Sequence, residues 1–241
     1  MRARQPDQQG HVVRDGVKVG YETFADERRD GPTVVFVPID TIVHSRAWKG
    51  QVPYLAQHFR VVTIDPRGNG RSDRPTDPAA YGDLNFVADT VAVLDATGVD
   101  RAVLVGVCGS AWQALLCAHL HPDRVQGVVA VAPWILDDTP PYPYRLEAVE
   151  RFEDELEAYE GWSTCNRHVY ESNWPAFPRF FFDQVFCEPH STKQLEDVVG
   201  YACETTGEVM VAEQRADGYK VSRAEAEEMP VSYTHLTLPT N

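Results

Sequence analysis

Four short apolar runs constrain this chain more than any other feature: Thr33–Val37, Val61–Ile64, Ala102–Val105 and Val128–Val131. Each is rich in Val, and none alternates with polar residues. That is the pattern of strands buried on both faces, as in a parallel sheet. Helical patterns separate them. Ala47–His58 predicts one helix. Leu84–Thr97 predicts a second, with Phe86, Val87, Val91 and Leu94 on one face and Gly98 as its C-cap. A third runs from Ser110 to His121 and stops before Pro122. Strands alternating with helices specify an α/β sheet. Upstream, Val12–Val13 and Val17–Phe24 flank Asp15-Gly16, a hairpin signal. The expected architecture is an antiparallel hairpin leading into a mostly parallel sheet.

After Trp134 the texture changes. Pro140, Pro141 and Pro143 break the chain, and from Arg145 to Met229 the pattern is helical. Ser191 with Gln194, Thr205 with Glu208, and Ser222 with Glu225 fit capping boxes. Trp174, Phe177, Phe180, Phe181, Phe182 and Phe186 cluster. They are read as packing a helical layer onto the sheet, with an apolar roof over a pocket as a compatible second role. The acidic crowd from Glu147 to Glu160 is read as a solvated helix face, with Glu147 and Arg151 at the favourable i,i+4 spacing. The 241 residues are read as one domain with a long insertion: a core at 11–133 and a helical lid at 134–229.

The net charge of −14 argues against a nucleic-acid partner. Five cysteines, an odd number without a C-x-x-C pair, argue against a disulfide framework and against a zinc site. No metal and no cofactor are expected. The polar first ten residues lack a signal-peptide core, and no apolar run is long enough to span a membrane. A cytoplasmic location is the default expectation.

The chemistry is expected at Gly106-Val107-Cys108-Gly109-Ser110, between a predicted strand and a predicted helix. That context is the one a nucleophile elbow requires. The turn is sharp, so the residues two positions either side of Cys108 must be small, and Gly106 and Ser110 are. A thiol at a helix N-terminus is favoured as thiolate. The N–H of Gly109 is placed to stabilise an oxyanion. Cys117, by contrast, reads as an ordinary buried cysteine.

These residues resemble the α/β-hydrolase fold family. Asp65-Pro66-Arg67-Gly68-Asn69-Gly70-Arg71-Ser72 is similar to the family's D-x-R-G-x-G-x-S turn, and His121-Pro122-Asp123-Arg124-Val125 to its H-P-x-R-V entry to the next strand. The resemblance is close over Val12–Pro133 and looser over the helical segment. It implies hydrolysis of an ester, thioester or lactone of a small apolar substrate, with Cys108 as nucleophile and no cofactor. Dienelactone hydrolases also carry a cysteine there. Asp65 and Arg67 are read as loop scaffolding. Where the family has His-Gly after the first parallel strand, this chain has Pro38-Ile39-Asp40. Pro38 has no N–H, which leaves the N–H of Asp40 as the remaining candidate for the second oxyanion donor. His44, further along that loop, is read as making local hydrogen bonds.

In the family the acid and the His follow later strands, in the order nucleophile, acid, His. Here they are expected beyond Met229. Residues 230–241 resemble a translated sequencing adapter, so they are expected to be a non-native tail on a metagenomic gene fragment. His235 then has no catalytic standing, and this chain is expected to be inactive. Asp137 and Asp138 are weighed as a substitute acid and read instead as loop residues; His119, His168 and His190 are likewise set aside. A second reading makes the chain a non-catalytic ligand-binding module, fused in a longer protein to a nucleotide-cyclase domain. Another reaction on the same scaffold, such as isomerisation, stays open.

Overall fold

A computed structural model of the chain describes residues 4–25, 31–133, 143–186, 188, 190, 192–219, 221 and 225. Several residues weighed from sequence lie outside that set: Trp134, Asp137, Asp138, Pro140, Pro141, Cys187, Ser191, Ser222, Met229 and all of 230–241 with His235. Six strands form one sheet: β1 (Gln8–Arg14), β2 (Val17–Phe24), β3 (Thr33–Phe36), β4 (Val61–Ile64), β5 (Ala102–Val107) and β6 (Val125–Val131). Their spatial order is β1-β2-β4-β3-β5-β6. β1 and β2 form the expected hairpin. Its turn residues Asp15 and Gly16 both take positive φ, 52° and 79°, as a two-residue hairpin turn with the right twist demands. β2 is antiparallel to β4, and the β4-β3-β5-β6 ladder is parallel.

The sheet carries apolar side chains on both faces. Val19, Val35, Val62 and Leu104 pack on one face against α2 (Asp83–Ala96) and α3 (Gly109–Leu120), through Leu94, Trp112 and Leu116. Val34, Phe36 and Val61 pack on the other against Trp48 and Val52. Each such side chain contributes roughly 1.5–3 kcal/mol of burial. β6 departs from expectation. It was read as buried on both faces, yet Val129 and Val131 are 49% and 48% exposed. The reason is positional, since β6 is the edge strand of the described sheet.

The helix expected over Ala47–His58 is also corrected. It forms a 3₁₀ turn at Ser45–Trp48 and then a four-residue helix, α1 (Val52–Leu55). Trp48, Val52, Leu55 and Ala56 keep helical spacing, but Pro53 lacks an N–H and its ring would meet the carbonyl four residues back. A continuous helix cannot pass that point.

After β6 come α4 (Pro143–Glu150), α5 (Arg167–Asn173), α6 (Ala176–Val185), α7 (Thr192–Ala202) and α8 (Gly207–Gln214). Only the start of the acidic crowd is helical; 153–160 is irregular. The aromatics pack as expected. Tyr170, Trp174 and Phe177 cluster with Phe152, Met210 and Val211 against Ile42, and Phe181 and Phe182 pack with Ile39 and Val43. The helical layer therefore rests on the loop after β3. Thr206, not Thr205, caps α8, its side chain accepting from the N–H of Val209. The Thr205 hydroxyl is instead buried and donates to the Gly68 carbonyl at 2.6 Å.

Candidate functional site

β5 ends at Val107 and α3 begins at Gly109, so one residue, Cys108, makes the whole turn. It sits at φ 58°, ψ −123°. Side chains rarely adopt that region, and it persists only where the surroundings enforce it. Here the N–H of Cys108 donates to the Val131 carbonyl at 3.0 Å, and the Cys108 carbonyl accepts from Ala111 at 3.1 Å. The Ser110 hydroxyl clips the turn from within, accepting from Val107 N and donating to Val107 O, both at 2.9 Å. A methyl on Gly106 would lie 2.5 Å from the Ser110 carbonyl carbon. Cys108 is half-buried, whereas Cys117 is buried and burial pushes its thiol up to about 12, which leaves it inert.

Asp40 approaches this turn from the loop after β3. It takes φ 44°, next to a bridge between Ile39 and Val43. Its N–H donates to the Pro38 carbonyl at 3.1 Å, within the loop. Its carboxylate rests on Gly109: a methyl at Gly109 would lie 2.5 Å from Asp40 Oδ1 and 2.8 Å from its carboxyl carbon. Gln113 Nε2, one turn into α3, donates to Asp40 Oδ1 at 3.0 Å. Cys108, Gly109 and Asp40 are thus brought together, and Asp40 meets the turn through its side chain.

Three further polar residues lie behind this contact. Thr41 donates its N–H to Glu213 of α8 at 2.8 Å. Burial pushes the Glu213 carboxyl up, the charge of Asp83 adds to that, and the Thr41 donors oppose it. Asp83 is raised by burial too, and is drawn back by the Tyr219 N–H and by the side chains of Trp112 and Gln113. Sequence reasoning passed over Gln113, Asp83 and Glu213. For Gln113 a signal existed: it is the one amide in the otherwise apolar run Ala111–Cys117, and buried polar groups carry information. Glu213 had none, because its partner is 172 residues away.

The Asp65–Ser72 turn is scaffolding. Asp65 accepts from Ser45 N, Arg71 N and Arg71 Nε at 3.0–3.2 Å. Arg67 grips Asp89 through two bonds of 2.7 and 2.6 Å. Asn69 donates to the carbonyls of Thr41 and Ile42. His44 is buried and only partly local in its contacts: Nδ1 accepts from Arg46 N at 3.4 Å, while Nε2 lies 3.4 Å from Glu204 and the ring packs on Tyr201, both far along the chain. His119 is exposed in the last turn of α3. Among the described residues, no group of three or more His, Cys, Asp or Glu could hold a metal ion. No helix among them is long and apolar enough to cross a membrane.

Comparison with known proteins agrees with this fold. A sequence model described as alpha/beta hydrolase fold matches residues 38–163, just over half of the chain. Epoxide hydrolase B of Mycobacterium tuberculosis is 44% identical over 87 residues, which are 36% of this chain and 24% of that protein. The chain thus matches about a quarter of that relative's length. Among solved structures, Est816, described as an N-acyl homoserine lactone degrading enzyme, is 26% identical with a TM-score of 0.63, covering 86% of this chain and 71% of that one. A variant of AqdC in complex with its substrate, the Pseudomonas quinolone signal, gives a TM-score of 0.67 at 21% identity, covering 87% of this chain and 70% of that one.

Proposed function

The chain belongs to the alpha/beta hydrolase fold family, and on that premise we propose that it carries the nucleophile of a hydrolase acting on an ester, thioester or lactone of a small apolar substrate. The observation that carries this reading is the backbone of Cys108 at φ 58°, ψ −123° between β5 and α3. Such strain is kept where it aims a side chain. The thiolate attacks the acyl carbon, and the carbon–oxygen or carbon–sulfur bond breaks with the alkoxide or thiolate leaving and taking a proton from water. An acyl-thioester forms on Cys108, and water then hydrolyses it to the carboxylic acid and the free thiol. The N–H of Gly109 faces the developing oxyanion. The helical layer over Ile39, Ile42 and Val43 acts as a lid whose apolar side suits an apolar acyl group. The lactone-degrading activity in the description of Est816 supports the lactone end of this range.

Acyl-enzyme trapping tests the reading on the chain as it stands. A p-nitrophenyl ester is expected to leave one acyl group, mapped by peptide mass spectrometry to Cys108 and absent in Cys108→Ala. An unlabelled Cys108, with epoxide opening instead of acyl transfer, would overturn it. A second reading, a ligand-binding module without turnover, draws on one observation: the Asp40 N–H, the candidate second oxyanion donor, is engaged by the Pro38 carbonyl at 3.1 Å.

A further inference from the structure

We infer that the side chain of Asp40 is a specificity-determining group: an anion fixed at the Cys108 turn that admits neutral and cationic substrates and turns away those with a carboxylate beside the scissile bond. The inference rests on the reading of Cys108 as the reacting position, and it adds the charge class of the substrate.

Three observations place the carboxylate there. The Gly109 Cα, next along the chain from Cys108, is covered by the Asp40 carboxyl so closely that no side chain fits between them. Gln113, only 2% exposed, holds Oδ1 from inside α3. The loop that delivers Asp40 is pinned at the next residue by two bonds: Thr41 N–H bonds Glu213, and the Thr41 carbonyl accepts from Asn69 at 3.0 Å. An arrangement fixed at the backbone, at the carboxylate and on the neighbouring residue holds the anion in one place. A fixed charge in a partly desolvated site acts on an incoming charge more strongly than one in open water, by Coulomb's law at reduced dielectric. Adjacent to the same helix N-terminus, the carboxylate also competes with an oxyanion for the favourable potential there.

The test reads the potential at Cys108 directly and needs no turnover. Three methanethiosulfonates of different charge are used: ethylammonium and sulfonatoethyl as the charged pair, and methyl as a neutral reference. Each transfers its thio group to the thiolate with release of a sulfinate. Rates at Cys108 are followed by peptide mass spectrometry, which separates it from Cys117, Cys165, Cys187 and Cys203. They are normalised to a small free thiol. The wild-type chain is expected to prefer the cation over the anion by about tenfold or more at low salt, and raising the salt is expected to shrink that preference. Asp40→Asn is expected to remove most of it, and Asp40→Glu to retain part. No cation preference in the wild type, or an unchanged preference in a folded Asp40→Asn chain, would overturn the inference. So would a Cys108 that none of the three reagents reaches. Acylation without charge preference defeats this inference alone, and charge preference without acylation defeats the hydrolase reading alone.

Discussion

Gly106 and Ser110 meet across the β5–α3 turn with no room for a further carbon: a methyl on Gly106 would sit 2.5 Å from the Ser110 carbonyl carbon and 2.6 Å from Ala111 N. The atoms opposing it are backbone, so they cannot rotate away. Gly106→Ala is expected to cost about 3 kcal/mol or more, at the upper end of the overpacking range. Ser110→Ala removes the two bonds to Val107 but adds no clash, and is expected to cost about 1 kcal/mol. Urea unfolding of the two variants checks the ranking; a Gly106→Ala chain as stable as wild type would contradict the packing described.

The Arg67–Asp89 pair holds the turn that carries Asn69 to the Asp40 loop. Both side chains are almost fully buried, and Arg14 adds a third bond to Asp89 at 2.7 Å. Removing Asp89 leaves the Arg67 charge buried and unpaired, at a cost of about 3–5 kcal/mol. Asp89→Ala is accordingly expected to unfold at markedly lower denaturant. Arg67→Met with Asp89→Leu is expected to recover part of the loss, since neither charge is then stranded. Denaturant midpoints of the single and double variants measure this.

How far the sequence reached can be judged from these same residues. The strands were legible because a sheet covered on both faces needs consecutive apolar residues, as Val61–Ile64 shows. The hairpin was legible because Asp15-Gly16 is local turn chemistry. The smallness of Gly106 and Ser110 was legible because it follows from the turn itself. The α8 cap slipped by one residue because two threonines are adjacent, and a tertiary bond to Gly68 claims the first. The Asp40 carboxylate was missed for the same kind of reason. Its seat on Gly109 is nearly as distant in sequence as its bond to Gln113, which joins positions 73 residues apart, and no period or spacing encodes either.

Glu213 gives a pH prediction with a defined sign. Its carboxyl is raised above the ordinary 4.5, chiefly by burial and then by Asp83. The folded state therefore holds the proton at pH values where the unfolded state has lost it. The stability this contributes is present below the ordinary carboxylate range and is lost as pH rises through the folded value. Glu213→Gln cannot ionise and keeps a carbonyl to accept from Thr41. The variant is expected to gain on wild type between pH 5 and pH 8, by roughly 2–4 °C in Tm for each kcal/mol recovered. A residual slope of the same sign is expected from Asp83, which burial also raises. Paired melting curves at the two pH values decide it, and a Tm difference independent of pH would contradict the assignment.

Gly207 opens α8 where that helix crosses α5, and two effects oppose each other there. Alanine favours a helix over glycine by about 1 kcal/mol. Against that, a methyl on Gly207 would lie 2.5 Å from the Tyr170 carbonyl carbon and 3.2 Å from its Cα, both backbone. The clash is expected to win, because relieving it moves α8 off α5 and strips Met210 and Val211 from Phe152, Tyr170 and Trp174. Displacing α8 also withdraws Glu213 from Thr41, so the damage reaches the Asp40 loop. Gly207→Ala is expected to lose about 2–3 kcal/mol in urea unfolding. Limited proteolysis is expected to cut it first within α4–α8 while the sheet survives. If the variant proves more stable than wild type, helix propensity has prevailed and the close α5–α8 crossing is refuted.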